Sequence, residues 1–285
     1  MENTSGQIVR TVDAHHHLWR YTAAEYGWID DSMRILQRDF LADDLVAEMK
    51  AADIDGAVAV QARQTVDETR WLLEQAANCD AICGVVGWAP LAEKNLVAVL
   101  DAFADKPKLR GLRHIVQGEP DENFILRPDF NDGVKRLRQY GLVYDVLIYE
   151  RQLPQAIEFV DRHPEQAFVL DHIAKPRIRE GIVEPWAERM REMGRREHVW
   201  CKVSGLVTEA DWSAWTLHSL RPYLDVVVEA FGPQRLMAGS DWPVCLVASG
   251  YKRWFDVLKE YFAEYSVAER EAIFGGTAKS VYGLR

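Results

Sequence analysis

Short apolar runs, many of them β-branched, recur along the chain and alternate with longer stretches whose apolar residues return every three or four positions. The runs occupy residues 8–14, 57–61, 82–88, 109–115, 142–148, 167–173, 199–206 and 235–240. Runs of this kind predict strands buried on both faces, as in a parallel sheet covered by helices. Between them, Leu45, Val46, Met49 and Ala52 form a helical stripe behind Asp43 and Asp44, whose carboxylates suit a helix N-terminus. Thr65-Val66-Asp67-Glu68 and Ser266-Val267-Ala268-Glu269 each read as a capping box, the first opening a helix through Asn78. Gly275-Gly276 predicts a break before a last short helix through Tyr282.

Eight strand–helix units with no Pro/Gly/Ser-rich linker between them predict one domain over residues 1–285, closed as a (β/α)8 barrel. An open doubly wound sheet is the alternative. Against it, no G-x-G-x-x-G or Walker loop follows the first strand, where a nucleotide-binding sheet would carry one.

Composition changes this picture by exclusion. With 48% apolar and 27% charged residues the chain is neither disordered nor fibrous. Its 34 basic and 44 acidic residues leave a net charge of −10, which argues against nucleic-acid or anionic-membrane partners. Cys79, Cys83, Cys201 and Cys245 have no C-x-x-C spacing, and a chain this long needs no disulfide framework, so reduced thiols are expected. Residues 1–10 are polar without an apolar leader and no apolar run reaches about 18 residues, so a cytoplasmic protein is expected. Nothing in the sequence specifies an oligomeric state.

A barrel of this kind carries its active site at the C-terminal ends of the strands, and the polar residues there are rich in chemistry. The first strand ends in Asp13-Ala14-His15-His16-His17; strand alternation puts His15 and His17 on one side and His16 on the other. The sixth ends in Asp171-His172 and the eighth in Gly239-Ser240-Asp241-Trp242-Pro243. His15, His17, His172 and Asp241 would then share one mouth. Such a set suits zinc, which takes nitrogen and oxygen ligands. It equally suits hydrogen-bond donors around a carbonyl, with Asp241 as general base.

Plainer readings stand beside these. A His run can be a surface accident, although here it ends an apolar strand, and a strand-end histidine such as His172 is, by itself, more often structural. His163, His198 and His218 read as surface residues, and His114 as either structural or functional. Arg113, ending the fourth strand, can bind a substrate oxygen through a charge-assisted hydrogen bond or merely form a salt bridge. Trp19, Tyr21, Tyr26 and Trp28 lie in an otherwise polar loop, residues 18–40, with Trp88 and Trp242 at strand ends. Their faces suit the C–H faces of a polyhydroxylated ring, or they cap the barrel core. Trp28 is the favoured substrate contact, because its loop has no evident packing stripe; Lys202 is a weaker candidate.

Taken in order, these motifs, with Tyr26-Gly27-Trp28, Gly111-Leu112-Arg113-His114, the segment from Phe168 to Pro176, Cys201-Lys202-Val203-Ser204-Gly205-Leu206 and Gly275-Gly276-Thr277-Ala278, resemble the amidohydrolase superfamily in its branch of sugar-lactone hydrolases. The resemblance runs nearly end to end. It implies a distorted (β/α)8 barrel that hydrolyses a lactone of a sugar acid, such as L-fucono-1,5-lactone. It implies also that His15, His17 and His172 match the metal-binding histidines and Asp241 the aspartate that deprotonates water. Two-metal members carry a bridging Lys or Glu on the fourth strand and a histidine on the fifth. Here those strands offer Arg113-His114 and Tyr144-Asp145, which argues against a binuclear centre. Some members of the branch work without metal, so one zinc ion is compatible with the set but not required by it. A decarboxylase with the same His/Asp set, a pyrone-dicarboxylate lactonase and a non-catalytic binding barrel are the alternatives. The pyrone lactonase would need several converging arginines, of which only Arg113 and Arg63 can be named.

Overall fold

The structure, a computed structural model, describes residues 11–284. Within them, eight parallel strands follow one another around a single sheet in the order β1 to β8. They are β1 (Val12–His16), β2 (Gly56–Val60), β3 (Ile82–Gly87), β4 (Leu109–His114), β5 (Val143–Val146), β6 (Phe168–Leu170), β7 (Val199–Val203) and β8 (Leu236–Ala238). The ring closes just beyond β8: Asp241 N–H donates to His15 C=O at 2.8 Å and His17 N–H to Trp242 C=O at 2.6 Å. The expected (β/α)8 barrel is thus observed, with its seam at the mouth. Of the first predicted run, residues 8–10 lie outside the described residues, as does the polar stretch 1–10.

Among the described residues, eleven α-helices accompany the strands, beside short 3-10 turns: α1 (Ala42–Ala52), α2 (Val66–Asn78), α3 (Leu96–Asp101), α4 (Pro128–Leu137), α5 (Leu153–Asp161), α6 (Trp186–Gly194), α7 (Leu206–Glu209), α8 (Leu217–Phe231), α9 (Tyr251–Tyr261), α10 (Val267–Glu271) and α11 (Thr277–Tyr282). Outward strand residues such as Ala59, Leu112, Tyr144 and Leu170 pack under this shell, while Val12, Ala14, Val58, Val86, Val143, Val169 and Met237 fill the barrel with Tyr282 and Leu284 from the C-terminus. In α1, Leu45, Met49 and Ala52 are buried but Val46 is exposed, so the stripe is narrower than the sequence predicts. The box at Ser266 forms in both directions. At Thr65 only half forms: Thr65 caps the Glu68 N–H at 3.1 Å, but the Glu68 carboxylate instead accepts from Ala62 and Arg63 N–H at 3.1 and 2.8 Å. Gly275-Gly276 breaks the helix as expected: Gly275 is extended at φ 173°, a kink within the π turn between α10 and α11.

All four cysteines are free thiols. No helix among the described residues is long and apolar enough to cross a membrane. The loop 18–40 is better packed than its sequence suggests, with Leu18, Trp19, Tyr26, Ile29, Leu36 and Phe40 all buried.

Candidate active site

A bulge in β1 builds the first half of the site. Asp13 pairs with Ala57 and His16 with Ala59, so Ala14 and His15 both stand against Val58. That extra residue turns His15 into the barrel although Asp13, two residues earlier, faces outward. Simple alternation would have put Asp13 and His15 on one side. Asp13 instead clasps the seam, accepting from Ser240 N–H at 2.8 Å, Ser240 Oγ–H at 2.6 Å and His15 N–H at 3.0 Å. His16 faces away and is buried.

The other half comes from two tight turns. Residues His172, Ile173, Ala174 and Lys175 all have left-handed backbones, with φ of 52°, 49°, 58° and 48°, a conformation costly for non-glycine residues. Asp241 is also left-handed, at φ 58°. Two glycines make room: a Cβ on Gly239 would stand 2.9 Å from the Cβ of His15, and one on Gly205 2.7 Å from Nδ1 of His172. Gly205 additionally has a φ of 71°, which favours glycine.

The result brings His15, His17, His172 and Asp241 together, all buried. Nε2 of His15 and of His17 are 3.2 Å apart. Asp241 Oδ1 lies 3.4 Å from His17 Nε2, 3.8 Å from His172 Nε2 and 3.9 Å from His15 Nε2. His17 donates its Nδ1–H to Val60 C=O at 2.8 Å, which turns Nε2 toward the cluster. His172 Nδ1 shares a hydrogen bond with the Ser204 hydroxyl at 2.8 Å. Burial holds His172 down to about 4, and burial, then the Lys202 charge, holds His15 well below the ordinary imidazole value. Burial pushes the Asp241 carboxyl up, but His172 and His17 outweigh it and leave it below the usual range. The site therefore presents the neutral imidazoles of His15 and His172 beside an ionised carboxylate near neutral pH.

Beneath the histidines lies an ionic layer that the sequence pattern does not assemble. Arg113 donates to Asp171 Oδ2 at 2.9 Å and to the Gln61 carbonyl, with Nη1 3.3 Å from His15 Nε2. Lys202 reaches Asp145 at 2.5 Å, Asp171 Oδ1 at 3.0 Å and His15 Nδ1 at 3.2 Å. Arg113 and Lys202 are 3% and 0% exposed, and both reach His15 from below. The signal for this layer is the single charged residue in each of the runs 142–148 and 199–206, Asp145 and Lys202.

Other expected contacts fall elsewhere. His114 accepts from Trp88 Nε1–H at 3.3 Å, lies 2.6 Å from Glu119 through Nε2 and stacks on Phe124. Both its nitrogens have partners within the protein. His163 is buried, not superficial, bonded to Asn131 at 2.9 Å and packed on Phe159; His198 is half-buried, donating to Val160 C=O at 3.1 Å. Arg63 pairs with Glu25 at 2.9 Å. Trp242, Trp19 and Tyr26 belong to the core. Trp28 is 44% exposed and edge-on to Trp19, which also stacks toward the His17 ring at 6.5 Å.

Comparison with known proteins agrees with this geometry. Residues 12–284 match the amidohydrolase family. An L-fucono-1,5-lactonase of Burkholderia multivorans (strain ATCC 17616 / 249) is 43% identical over 284 residues, 96% of each chain. One of Burkholderia ambifaria is 32% identical over 277 residues, 96% of this chain and 95% of the other. A crystal structure of an amidohydrolase from Burkholderia multivorans with bound zinc superposes with a TM-score of 0.93 at 43% identity, covering 96% of this chain and 99% of that one. From strand order, mouth and sequence together, the chain belongs to the amidohydrolase family.

Proposed function

We propose that the protein opens an aldonolactone, the cyclic ester of a sugar acid such as L-fucono-1,5-lactone, with Asp241 as the base. That it is a hydrolase of lactone esters follows from its family and from its lactonase relatives. The observation that carries the mechanism is one ionised carboxylate whose Oδ1 has three imidazole Nε2 atoms within 3.9 Å. Asp241 takes a proton from water as the water oxygen attacks the lactone carbonyl carbon. His15 and His172 face the oxygen that becomes negative in the tetrahedral intermediate, and imidazole N–H donors stabilise such an oxyanion. On collapse the ring C–O bond breaks, the proton passes from Asp241 to the leaving oxygen, and the hydroxy acid is released. Trp28 supplies an exposed apolar face for the sugar ring.

A zinc ion fits the donor set. Four bonds of about 2.0–2.1 Å in a tetrahedron separate their ligand atoms by about 3.3 Å, and the His15–His17 and His17–Asp241 distances are 3.2 and 3.4 Å. His15, His17 and Asp241 would hold it, with His172 beside them. When bound, zinc polarises a carbonyl and acidifies water. Lactones, activated esters, need less such help than amides.

A comparison of kcat/KM across substrates tests the reading: neutral sugar lactones, a pyrone dicarboxylate and a simple amide, with CO2 release followed in parallel. The sugar lactone is expected to lead by more than about tenfold, a margin set by hydroxyl recognition. Trp28→Ala should raise KM for it several-fold. Preference for the dicarboxylate, or CO2 release without lactone opening, overturns the assignment.

A further inference from the structure

On the mouth face, the loops that follow β5, β6 and β7 enclose a cavity of about 420 Å³, within the range of small-molecule sites, roughly 300–1,000 Å³. Its wall carries Tyr149 after β5, Lys175 and Arg179 after β6, and Thr208, Glu209 and Trp212 after β7. Two of these bear opposite charges side by side. Lys175 Nζ lies 3.6 Å from Glu209 Oε1, beyond the usual N–H···O range of about 2.7–3.2 Å, and neither head group makes a closer hydrogen bond among the described residues.

The pair is tied to the reaction centre through His172. Lys175 ends the left-handed run that begins at His172 and donates its N–H to His172 C=O at 2.8 Å. Glu209 ends α7, which opens directly after Ser204, bonded to His172 Nδ1 at 2.8 Å, and after Gly205, where a Cβ would collide with the same ring. The charges communicate as well. Burial raises the Glu209 carboxyl against the pull of Lys175, and the charge of Asp241 raises it further. At Asp241, burial is outweighed by His172 and His17, and Lys175 adds to them.

We infer that Lys175 and Glu209 form a hydroxyl clamp that selects polyhydroxylated lactones over bare ones. An ammonium offers only donors and an ionised carboxylate only acceptors, whereas each sugar hydroxyl offers both. Two neighbouring hydroxyls therefore satisfy the pair, one accepting from Lys175 and the other donating to Glu209. A dianionic ligand is a poorer match, because Glu209 repels it and the wall's Arg151 and Arg177 are already paired with Glu122 and Glu180. Arg179, over the Trp212 ring at 5.4 Å, has no carboxylate within 4 Å among the described residues and offers a further donor. The inference rests on the lactonase reading and names what the site recognises beyond the ester.

Lys175→Met, Glu209→Gln and the double variant, which removes one charge of each sign, test it. Both side chains reach solvent, 17% and 25% exposed, so no substitution strands a fully buried charge. The first readout is the ratio of kcat/KM for a 1,5-aldonolactone to that for δ-valerolactone, the same ring without hydroxyls. In the double variant the ratio should fall at least about tenfold, the low end for hydrogen bonds to charged groups, with KM for the aldonolactone taking most of the change. Loss of a merely structural ion pair would lower both substrates together and leave the ratio as it was. The second readout needs no turnover: a 1,5-anhydrohexitol, which keeps the hydroxyls and lacks the ester, should bind the wild type in a calorimeter and bind the double variant at least about fivefold more weakly. If the anhydrohexitol behaves so while no lactone is opened, the lactonase reading fails by itself and the hydroxyl clamp is kept. If lactones are opened but the ratio stays within about twofold, or if the wild type binds the anhydrohexitol no more tightly than the double variant does, the clamp is overturned.

Discussion

At Asp241 the aim of the carboxylate is set before substrate arrives. Its backbone is left-handed at φ 58°, its N–H is bonded to His15 C=O at 2.8 Å, and three imidazoles surround it. Asp241→Asn keeps this shape and removes only the proton acceptor. The chemical step should then slow by at least ~10²-fold, the low end for a general base. Turnover measured beside a circular dichroism spectrum checks this, and near-wild-type turnover in a folded variant contradicts it. Which four residues meet is legible in the sequence, because each ends a strand and a barrel gathers strand ends at one mouth. What surrounds them is not. Lys202 and Asp145 each sit within an apolar run, where hydrophobic pattern gives no reason to expect a charge, and their pairing spans 57 residues of sequence. Arg113 reads as a substrate contact because its strand-end position is visible in the sequence, while its pairing with Asp171, just after β6, is not.

Among the elements, the strands and the two capped helices are readable from local chemistry, whereas the departures that shape the site are not. The β1 bulge depends on β2, since only the pairing with Ala57 and Ala59 reveals the extra residue. The left-handed run from His172 to Lys175 contains no glycine to announce it. At α2 the half-formed cap has a measurable consequence. The Glu68 carboxylate turns back to bind Ala62 and Arg63 N–H, beside the Gln61 carbonyl that receives Arg113. Burial raises its pKa from 4.5 to about 7 against those hydrogen bonds. The folded state thus holds this proton more tightly than the unfolded chain does. Its contribution is fully present below about pH 4.5 and is lost as pH rises through about 7. The amide of Glu68→Gln cannot titrate. The stability difference between the two proteins, followed by urea denaturation, should move in favour of the glutamine variant across that window by up to about 3 kcal/mol. A difference that stays constant with pH would remove Glu68 from the linkage.

Over the whole molecule, the barrel interior is stratified along its axis. At one end Tyr282 and Leu284, from the last helix and the residues after it, plug the barrel against Val12, Val58 and Val143. Above them lies the ionic layer of Asp145, Lys202, Asp171 and Arg113, and above that the histidines and Asp241. The alternation of strands and helices predicts the ring, but not that the C-terminus closes its floor, because α11 is too short to show which face it buries. Tyr282 joins two of the strata: its ring belongs to the plug and its hydroxyl lies 2.8 Å from both oxygens of Asp145. Its two ends should be separable energetically. Tyr282→Phe keeps the ring and leaves Asp145 short of one donor, a loss of about 1–3 kcal/mol for an unsatisfied buried acceptor. Tyr282→Ala also removes the ring and opens a cavity, for a total of roughly 3–5 kcal/mol or more. Urea unfolding of the two variants at one pH measures both. If Phe costs as much as Ala, the ring contributes nothing and the plug is not packed as described. If Phe costs nothing, the hydroxyl does not hold Asp145, and the ionic layer stands without support from the floor of the barrel.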